Sequence, residues 1–130
     1  DQCSALQERL STPQGINSYL QQETSSDVIC AIALMLNGRE STYCYAIFDY
    51  RSDPAHQALK HLNHQLSTCF IAHTSEGAGE IVNHPDSFDQ MQFCAQNNDL
   101  SLSLKDKATL NQTLVFLRLD ERAPDAPACN

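Results

Sequence analysis

Apolar residues recur at helical spacing in two short stretches near the N-terminus, Ala5 to Leu10 and Pro13 to Gln22. In the second stretch Thr12 can cap the helix, and Pro13 suits its first turn because a proline nitrogen has no hydrogen to leave unpaired there. We therefore predict two short helices. The apolar face of the second helix consists of Ile16, Tyr19 and Leu20.

The next two segments, 28–36 and 43–50, are rich in β-branched and aromatic residues and flank the dipeptide Asn37-Gly38. Two such runs around Asn-Gly are a strong signal for a β-hairpin, so we predict paired strands. The alternative is a short buried helix from Ser26 or Asp27 to a C-cap at Gly38, because periodicity alone cannot separate a helix from a strand in so short a run.

From residue 53 onward the apolar residues return to helical spacing, with Asp53 placed to cap a third helix and Pro54 at its first position. The apolar face of this helix consists of Leu59, Leu62, Leu66 and Phe70. We expect a short strand at 70–73 to follow it.

A flexible turn at 75–80 and a short apolar pair at 81–82 come next, and Pro85 ends this segment. Asp86 or Ser87 can then cap a fourth helix that runs to about Asn97. The narrow apolar stripe that predicts this helix consists of Phe88, Met91 and Ala95.

The period changes to two at residue 100, where leucines alternate with polar residues up to Lys105. The apolar segment 114–119 follows after a polar turn around Asp106, and the pattern predicts a second hairpin over 100–119. The remaining tail, 122–130, has two prolines and no period. We expect it to run extended over the surface, held chiefly through Cys129.

These elements together predict an α+β fold. Residues 1–130 form one disulfide-stabilised domain, with a mainly antiparallel sheet of two hairpins, about 28–50 and 100–119, and helices packed on one face. A chain of 130 residues fits one ordinary domain and is long enough to bury a core, so disulfides would only reinforce it.

The chain carries 16 acidic and 8 basic side chains, which gives a formal net charge of -8. Such a field repels phosphate backbones and anionic lipid and attracts basic surfaces, so we predict no nucleic-acid partner. The longest apolar run, 28–36, is about half as long as a membrane-spanning helix must be, so we predict no membrane span.

Six cysteines are spread through the chain, and no two of them stand in a Cys-x-x-Cys motif. Redox and metal sites need close spacings, so we expect all six to form structural disulfides. This use of cysteine predicts a protein exported to the periplasm or the extracellular space, with its signal peptide removed. The cysteines are Cys3, Cys30, Cys44, Cys69, Cys94 and Cys129.

Sequence alone does not choose among the possible cysteine pairings. A three-residue hairpin loop at 36–38 would place Cys30 opposite Cys44, whereas a two-residue loop would turn these side chains to opposite faces. The other pairs that we expect are Cys69 with Cys94, joining two helix ends, and Cys3 with Cys129, tying the termini.

Histidines and carboxylates are the candidates for chemistry. His61 and His64 lie three residues apart on the third helix beside His56, a spacing that can hold a metal ion when a third ligand comes from elsewhere. A surface helix also uses histidine as an ordinary polar residue, and the carboxylates fit solvated turns and helix caps. We predict no catalytic residue, metal site or cofactor.

These observations favour a non-catalytic binding protein that acts on another protein with a basic surface. Complementary charge speeds the encounter with such a partner, and an inhibitor or immunity protein for a basic toxin or hydrolase is the concrete form. One alternative is a small secreted hydrolase that uses His56 or His61 with Asp53. Another is an accessory domain of a secretion or surface assembly.

The expected contact with the partner lies in the glycine-rich loop after the third helix. Two glycines within three residues make this backbone costly to order for its own sake, and loops held by a rigid scaffold often carry binding. The alternative is an ordinary surface turn. The predicted binding residues are His73, Glu76, Gly77, Gly79, Glu80 and His84.

Overall fold

The computed structural model describes residues 1–34, 38–73, 88–95, 98–122 and 125. These residues form an α+β fold, as predicted. The helices are α1 (Gln2–Arg9), α2 (Pro13–Thr24) and α3 (Asp53–Cys69). The strands are β1 (Val28–Leu34), β2 (Glu40–Asp49), β3 (Ile71–His73), β4 (Phe88–Ala95), β5 (Asn98–Lys107) and β6 (Gln112–Glu121).

All six strands lie in one antiparallel sheet in the order β1-β2-β6-β5-β4-β3. Both predicted hairpins are confirmed, and pairing between β2 and β6 joins them at the middle of the sheet. The hairpin turn between β5 and β6 is a short 3-10 helix at Ala108–Leu110. The alternative helix ending at Gly38 is wrong, because every residue of β1 pairs with a residue of β2.

The predicted fourth helix is wrong, because Phe88–Ala95 forms β4 between β3 and β5. In this strand Phe93 is buried against the core while Gln90 and Gln92 belong to the other face. Met91 and Ala95 of the predicted helical stripe therefore lie at a period of two on the same face as Phe93, whereas position 88 is out of step with them. Hydrogen bonding to a neighbour on each side favours the strand.

The helix starts follow two different patterns. In α2 the backbone N–H of Gly15 donates to Thr12 Oγ1 at 3.0 Å, which confirms the predicted cap. In α3 the N-cap residue is Ser52, with no side-chain cap hydrogen bond, so the predicted capping role of Asp53 is wrong. Asp53 is the first helical residue, where its charge favours the helix dipole.

The core lies between the helices and one face of the sheet. Because side chains alternate along a strand, alternate residues of each strand face the helices; α2 packs mainly against β1 and β2, and α3 packs mainly against β5 and β6. None of the described helices is both long and apolar enough to cross a membrane. The most deeply buried core residues include Ile16, Leu20, Leu62, Leu66, Leu102 and Leu117.

Two disulfides are described, Cys30–Cys44 and Cys3–Cys69. The first confirms the register in which Cys30 lies opposite Cys44. The expected pairs Cys69–Cys94 and Cys3–Cys129 are wrong, because α1 packs against α3 and brings Cys3 to the end of that helix. Cys94 is also disulfide-bonded, and its partner lies outside the described residues.

A buried polar cluster joins the turn after β2 to the β5–β6 hairpin. Thr113 Oγ1 donates to Asp106 Oδ1 at 2.6 Å, and Arg51 Nε donates to Asp106 Oδ2 at 3.1 Å. The backbone N–H of Arg51, a residue in the left-handed conformation, donates to Thr113 Oγ1 at 2.7 Å. Thr113 is 0% exposed and Asp106 is 3% exposed, so water contributes little to this cluster.

Candidate functional site

The face of the sheet opposite the helices carries the candidate site. Along β2, Cys44 and Ala46 face the helices and are buried, so Tyr43 and Tyr45 belong to the other face. The same alternation in β6 places Phe116 on that face, directly opposite Tyr45 in the strand register. The two central strands therefore carry aromatic side chains on the side that no described helix covers.

These aromatic residues line a groove of about 480 Å³, which we name the sheet groove. It crosses strands β1, β2, β6, β5 and β4. The size is that of an ordinary ligand site or of a slot for a few side chains of a partner protein. Its lining includes Ala33, Ser41, Tyr43, Tyr45, Gln90, Ser101, Ser103, Lys105, Leu114, Phe116 and Arg118.

Three rings form one wall of the sheet groove. The ring centroids of Tyr45 and Phe116 are 5.0 Å apart, and those of Tyr43 and Phe116 are 6.2 Å apart, with tilted planes in both pairs. Both separations lie in the range favoured by aromatic pairs. The wall is thus a preformed aromatic surface that also carries two phenolic hydroxyls.

Two cations stand beside this aromatic wall. Lys105 Nζ lies 4.9 Å from the centroid of the Phe116 ring, a cation–π geometry. Burial lowers the pKa of Lys105, and the neighbouring charges of Lys107 and Arg118 lower it further. Arg118 donates from Nη2 at 2.6 Å and from Nε at 2.9 Å to Asp120 Oδ2, so part of its charge is balanced.

Hydroxyl groups complete the groove. Ser41, Ser101 and Ser103 are each buried, although they belong to the face that no described helix covers. Among the described residues, Ser41 Oγ has no hydrogen-bond partner. A buried hydroxyl without a partner costs free energy, so this atom is suited to a bound group or a water molecule.

The side chains of the lining offer several kinds of binding contact. Aromatic faces pack against apolar or cationic groups, serine and glutamine form hydrogen bonds, and Lys105 attracts an anion. The described lining contains no histidine, cysteine or carboxylate, the groups most used in general acid–base and nucleophilic catalysis.

The predicted binding loop falls almost wholly outside the described residues. Glu76, Gly77, Gly79, Glu80 and His84 are all in that part of the chain. The backbone of His73 is described, at the end of β3 opposite Gln92. The loop therefore stays a prediction.

The histidines of α3 make separate local contacts. His61 Nε2 lies 3.3 Å from Glu23 Oε1, and His56 Nδ1 lies 3.0 Å from the carbonyl oxygen of Ser52. The hydrolase hypothesis paired these histidines with Asp53, and the contacts that they make are with other groups. Within the described residues no three side chains of metal-binding type gather at one point.

A polar network crosses from α2 to α3 at the edge of the core. Tyr19 donates to Gln65 Oε1, and Gln65 Nε2 donates to Glu23 Oε1. Burial raises the pKa of Tyr19, with the charge of Glu23 raising it and that of Arg9 lowering it. The phenol therefore stays protonated and acts as a fixed donor that holds the two helices together.

The sheet groove was not predicted from the sequence. A signal was present, because Tyr43 and Tyr45 lie two residues apart, a spacing that places both on one face of a strand. The significance of that face depends on which side of the sheet the helices cover, and on β2 lying next to β6.

Comparison with known proteins identifies no family for this chain. No family model matches it, and no curated protein matches it. Among solved structures, the chain is similar to CalU16 from Micromonospora echinospora, with 13% sequence identity. The similarity covers 76% of this chain and 70% of that chain with a TM-score of 0.36, too low to support a conclusion about function.

Proposed function

We propose that this protein is an exported, non-catalytic binding protein that holds another protein at the sheet groove. The observation that carries the proposal is the cluster of Tyr43, Tyr45, Phe116 and Arg118 on the face of the sheet that no described helix covers. Tyrosine, phenylalanine and arginine are the residues enriched at the centres of protein interfaces. A rigid sheet holds them in place, so binding orders few side chains that were previously free.

The disulfides support the proposed export. They persist in oxidising compartments and are rare in the cytosol, and no described cysteine is free. The Cys30–Cys44 bridge also joins the two strands at the β1 side of the groove. An oxidising periplasm or extracellular space would keep that side of the binding face in one register.

The net charge of -8 supports a partner with a basic surface. Lys105 lies within the groove, so basic groups of the partner are better placed at its rim. At one end of the central strands Asp99 lies opposite Asp120, but Arg122 and Arg118 pair with these two carboxylates, so the attraction comes from the net charge of the chain as a whole. A partner whose apolar centre meets the aromatic wall and whose cations surround that centre fits both features. An inhibitor or immunity protein for a basic toxin or hydrolase is the concrete form.

The proposal is tested by capturing the partner with the wild-type protein from periplasmic extract or culture fluid and then measuring binding of the purified pair. Phe116→Ala removes the central ring of the wall and should weaken binding at least about tenfold, as expected of an interface anchor. Leu110→Ala is the control, because Leu110 is an exposed apolar residue that does not line the groove.

A partner that binds both variants as tightly as the wild type would remove the groove from the interface. Binding that ignores ionic strength would contradict the basic partner, since attraction between opposite charges weakens when salt screens them. If the partner is a hydrolase or toxin, loss of its activity in the complex should follow the same ranking of variants.

A further inference from the structure

The strand at one edge of the sheet lacks the features that usually protect an edge. β1 pairs with β2 on one side, and no described strand lies on its other side. Natural edge strands are commonly protected by lysine, proline or a bulge, and the sequence VICAIAL of β1 contains no charged residue and no proline. All seven of its residues pair with β2 without a break.

The backbone of β1 offers a regular row of hydrogen-bonding groups on its outer side. The N–H of Ile47 donates to the carbonyl of Asp27, so the odd-numbered residues of β1 are the ones bonded to β2. The Cα atoms of Cys30 and Cys44 are 4.0 Å apart, as expected for a pair without backbone hydrogen bonds. The outward groups therefore belong to Val28, Cys30, Ile32 and Leu34, and no described backbone group bonds to them.

Exposed apolar side chains are concentrated on the same strand. Five large apolar residues are exposed among the described residues, and three of them, Ile29, Ile32 and Leu34, lie on β1. Ile32 is 61% exposed and Leu34 is 76% exposed. An edge that is apolar, unbroken and free of charge is suited to pairing with another strand.

We propose that β1 pairs antiparallel with β1 of a second copy of this chain, about a two-fold axis at Ala31. Only the residues whose backbone N–H and C=O groups point outward can bond to the second copy. In this register each of these four residues faces another of them. Val28 lies opposite Leu34 of the second copy, and Cys30 lies opposite Ile32. Each of these two kinds of pair exchanges two backbone hydrogen bonds, and the pairs between them have none, as in any antiparallel ladder.

Side-chain size supports a second copy as the occupant. The axis falls on a pair without hydrogen bonds, where facing side chains approach most closely, and alanine is the residue there. Ile29 faces Ala33 of the second copy, so a large residue meets a small one. Leu34, the most exposed of the large apolar side chains described, lies opposite the half-buried Val28 of the second copy. The strand is therefore complementary to itself, as a two-fold interface requires.

The pairing would extend the sheet across both copies and leave both sheet grooves open on the same face. It depends on the edge alone and not on a ligand in the groove. The net charge of -8 on each copy opposes association at long range, so added salt should favour the dimer. The expected salt dependence is thus opposite in sign to that of binding to a basic partner.

Sedimentation velocity of the purified protein over a range of concentrations tests the pairing. The wild type should approach twice the monomer mass of 14.5 kDa, with more dimer at higher salt. Ile32→Lys places a charge on the pairing strand β1 of each copy and should weaken dimerisation at least about tenfold. Leu110→Lys is the matched control, because Leu110 is 62% exposed and lies on the 3-10 turn away from β1.

Cysteine cross-linking tests the register. Ala31→Cys places the new thiols opposite each other at the axis and should give a covalent dimer on mild oxidation. Ala33→Cys places each thiol opposite Ile29 and should not. A wild type that stays monomeric, a dimer that survives Ile32→Lys, or cross-linking through position 33 in place of 31 would each overturn the proposal. Binding of an extended peptide at β1 by a monomeric wild type would overturn it too.

Discussion

Replacing Asp106 by alanine removes the central acceptor of the buried cluster that joins the turn after β2 to the β5–β6 hairpin. The change leaves the Thr113 hydroxyl without its acceptor at a site that is 0% exposed. Leaving one buried donor unsatisfied costs about 1–3 kcal/mol. The ion pair between Arg51 and Asp106 is also lost, but the Arg51 side chain is 40% exposed and can be hydrated, so the ion pair itself contributes at most about 1 kcal/mol.

The expected loss in the free energy of unfolding is therefore about 1–4 kcal/mol. Denaturant unfolding followed by circular dichroism, with the disulfides kept oxidised, measures it. Asp106→Asn retains one acceptor oxygen and should lower the free energy of unfolding by less than Asp106→Ala does. Asp49→Ala is the matched control, because Asp49 is an exposed carboxylate at the end of the neighbouring strand.

The effects of substituting Asp106 and Thr113 on the free energy of unfolding should also be coupled. Thr113→Val removes the same hydrogen bond from the other side, so the double variant should lose less than the sum of the two single losses. If Asp106→Ala changed stability by no more than Asp49→Ala, within about 0.5 kcal/mol, the cluster would not be a source of stability. Additive losses would show that the two residues act independently.

Three further predictions concern the cysteines and Lys105. Replacing both cysteines of a bridge by serine should cost about 3 kcal/mol for Cys30–Cys44 and about 4 kcal/mol for Cys3–Cys69, because the second closes a longer loop; denaturant midpoints would rank them. Mass measurement before and after reduction should show all six cysteines oxidised, and a smaller gain in mass would contradict this. Lys105 should titrate below 10.5 by NMR. Between this lowered pKa and 10.5 the unfolded chain binds more protons than the folded protein. The contribution of Lys105 to stability should therefore rise with pH over that range, and Lys105→Met should abolish the rise.

The two hairpins could be predicted from sequence because their signals are local. Asn37-Gly38 between two apolar runs and the alternation from Leu100 onward each reflect neighbouring residues. The segment 88–95 could not be assigned in this way, because Met91 and Ala95 fit a helical spacing with Phe88 and a period of two with Phe93. What decides it is a tertiary feature, the presence of β3 on one side and β5 on the other.

The candidate site and one disulfide depended on contacts between distant parts of the chain. Tyr45 and Phe116 are ordinary strand residues in isolation, and they form a wall only because β2 lies next to β6. Cys3 meets Cys69 because α1 packs against the end of α3. Neither neighbour relation is visible in local periodicity, whereas the Cys30–Cys44 bridge follows from hairpin register alone.

The strand order has a consequence for how the chain folds. Each hairpin can close locally, but joining them requires β2 to find β6, so that Cys44 comes to lie opposite Leu117. Bringing residues so far apart in the sequence together has an entropic cost, and this cost is offset only once the core packs. Proteins rich in such distant contacts fold slowly for this reason. We therefore expect β2–β6 docking to be the slow step. The Cys30–Cys44 bridge, which lies within one hairpin, can form before that step.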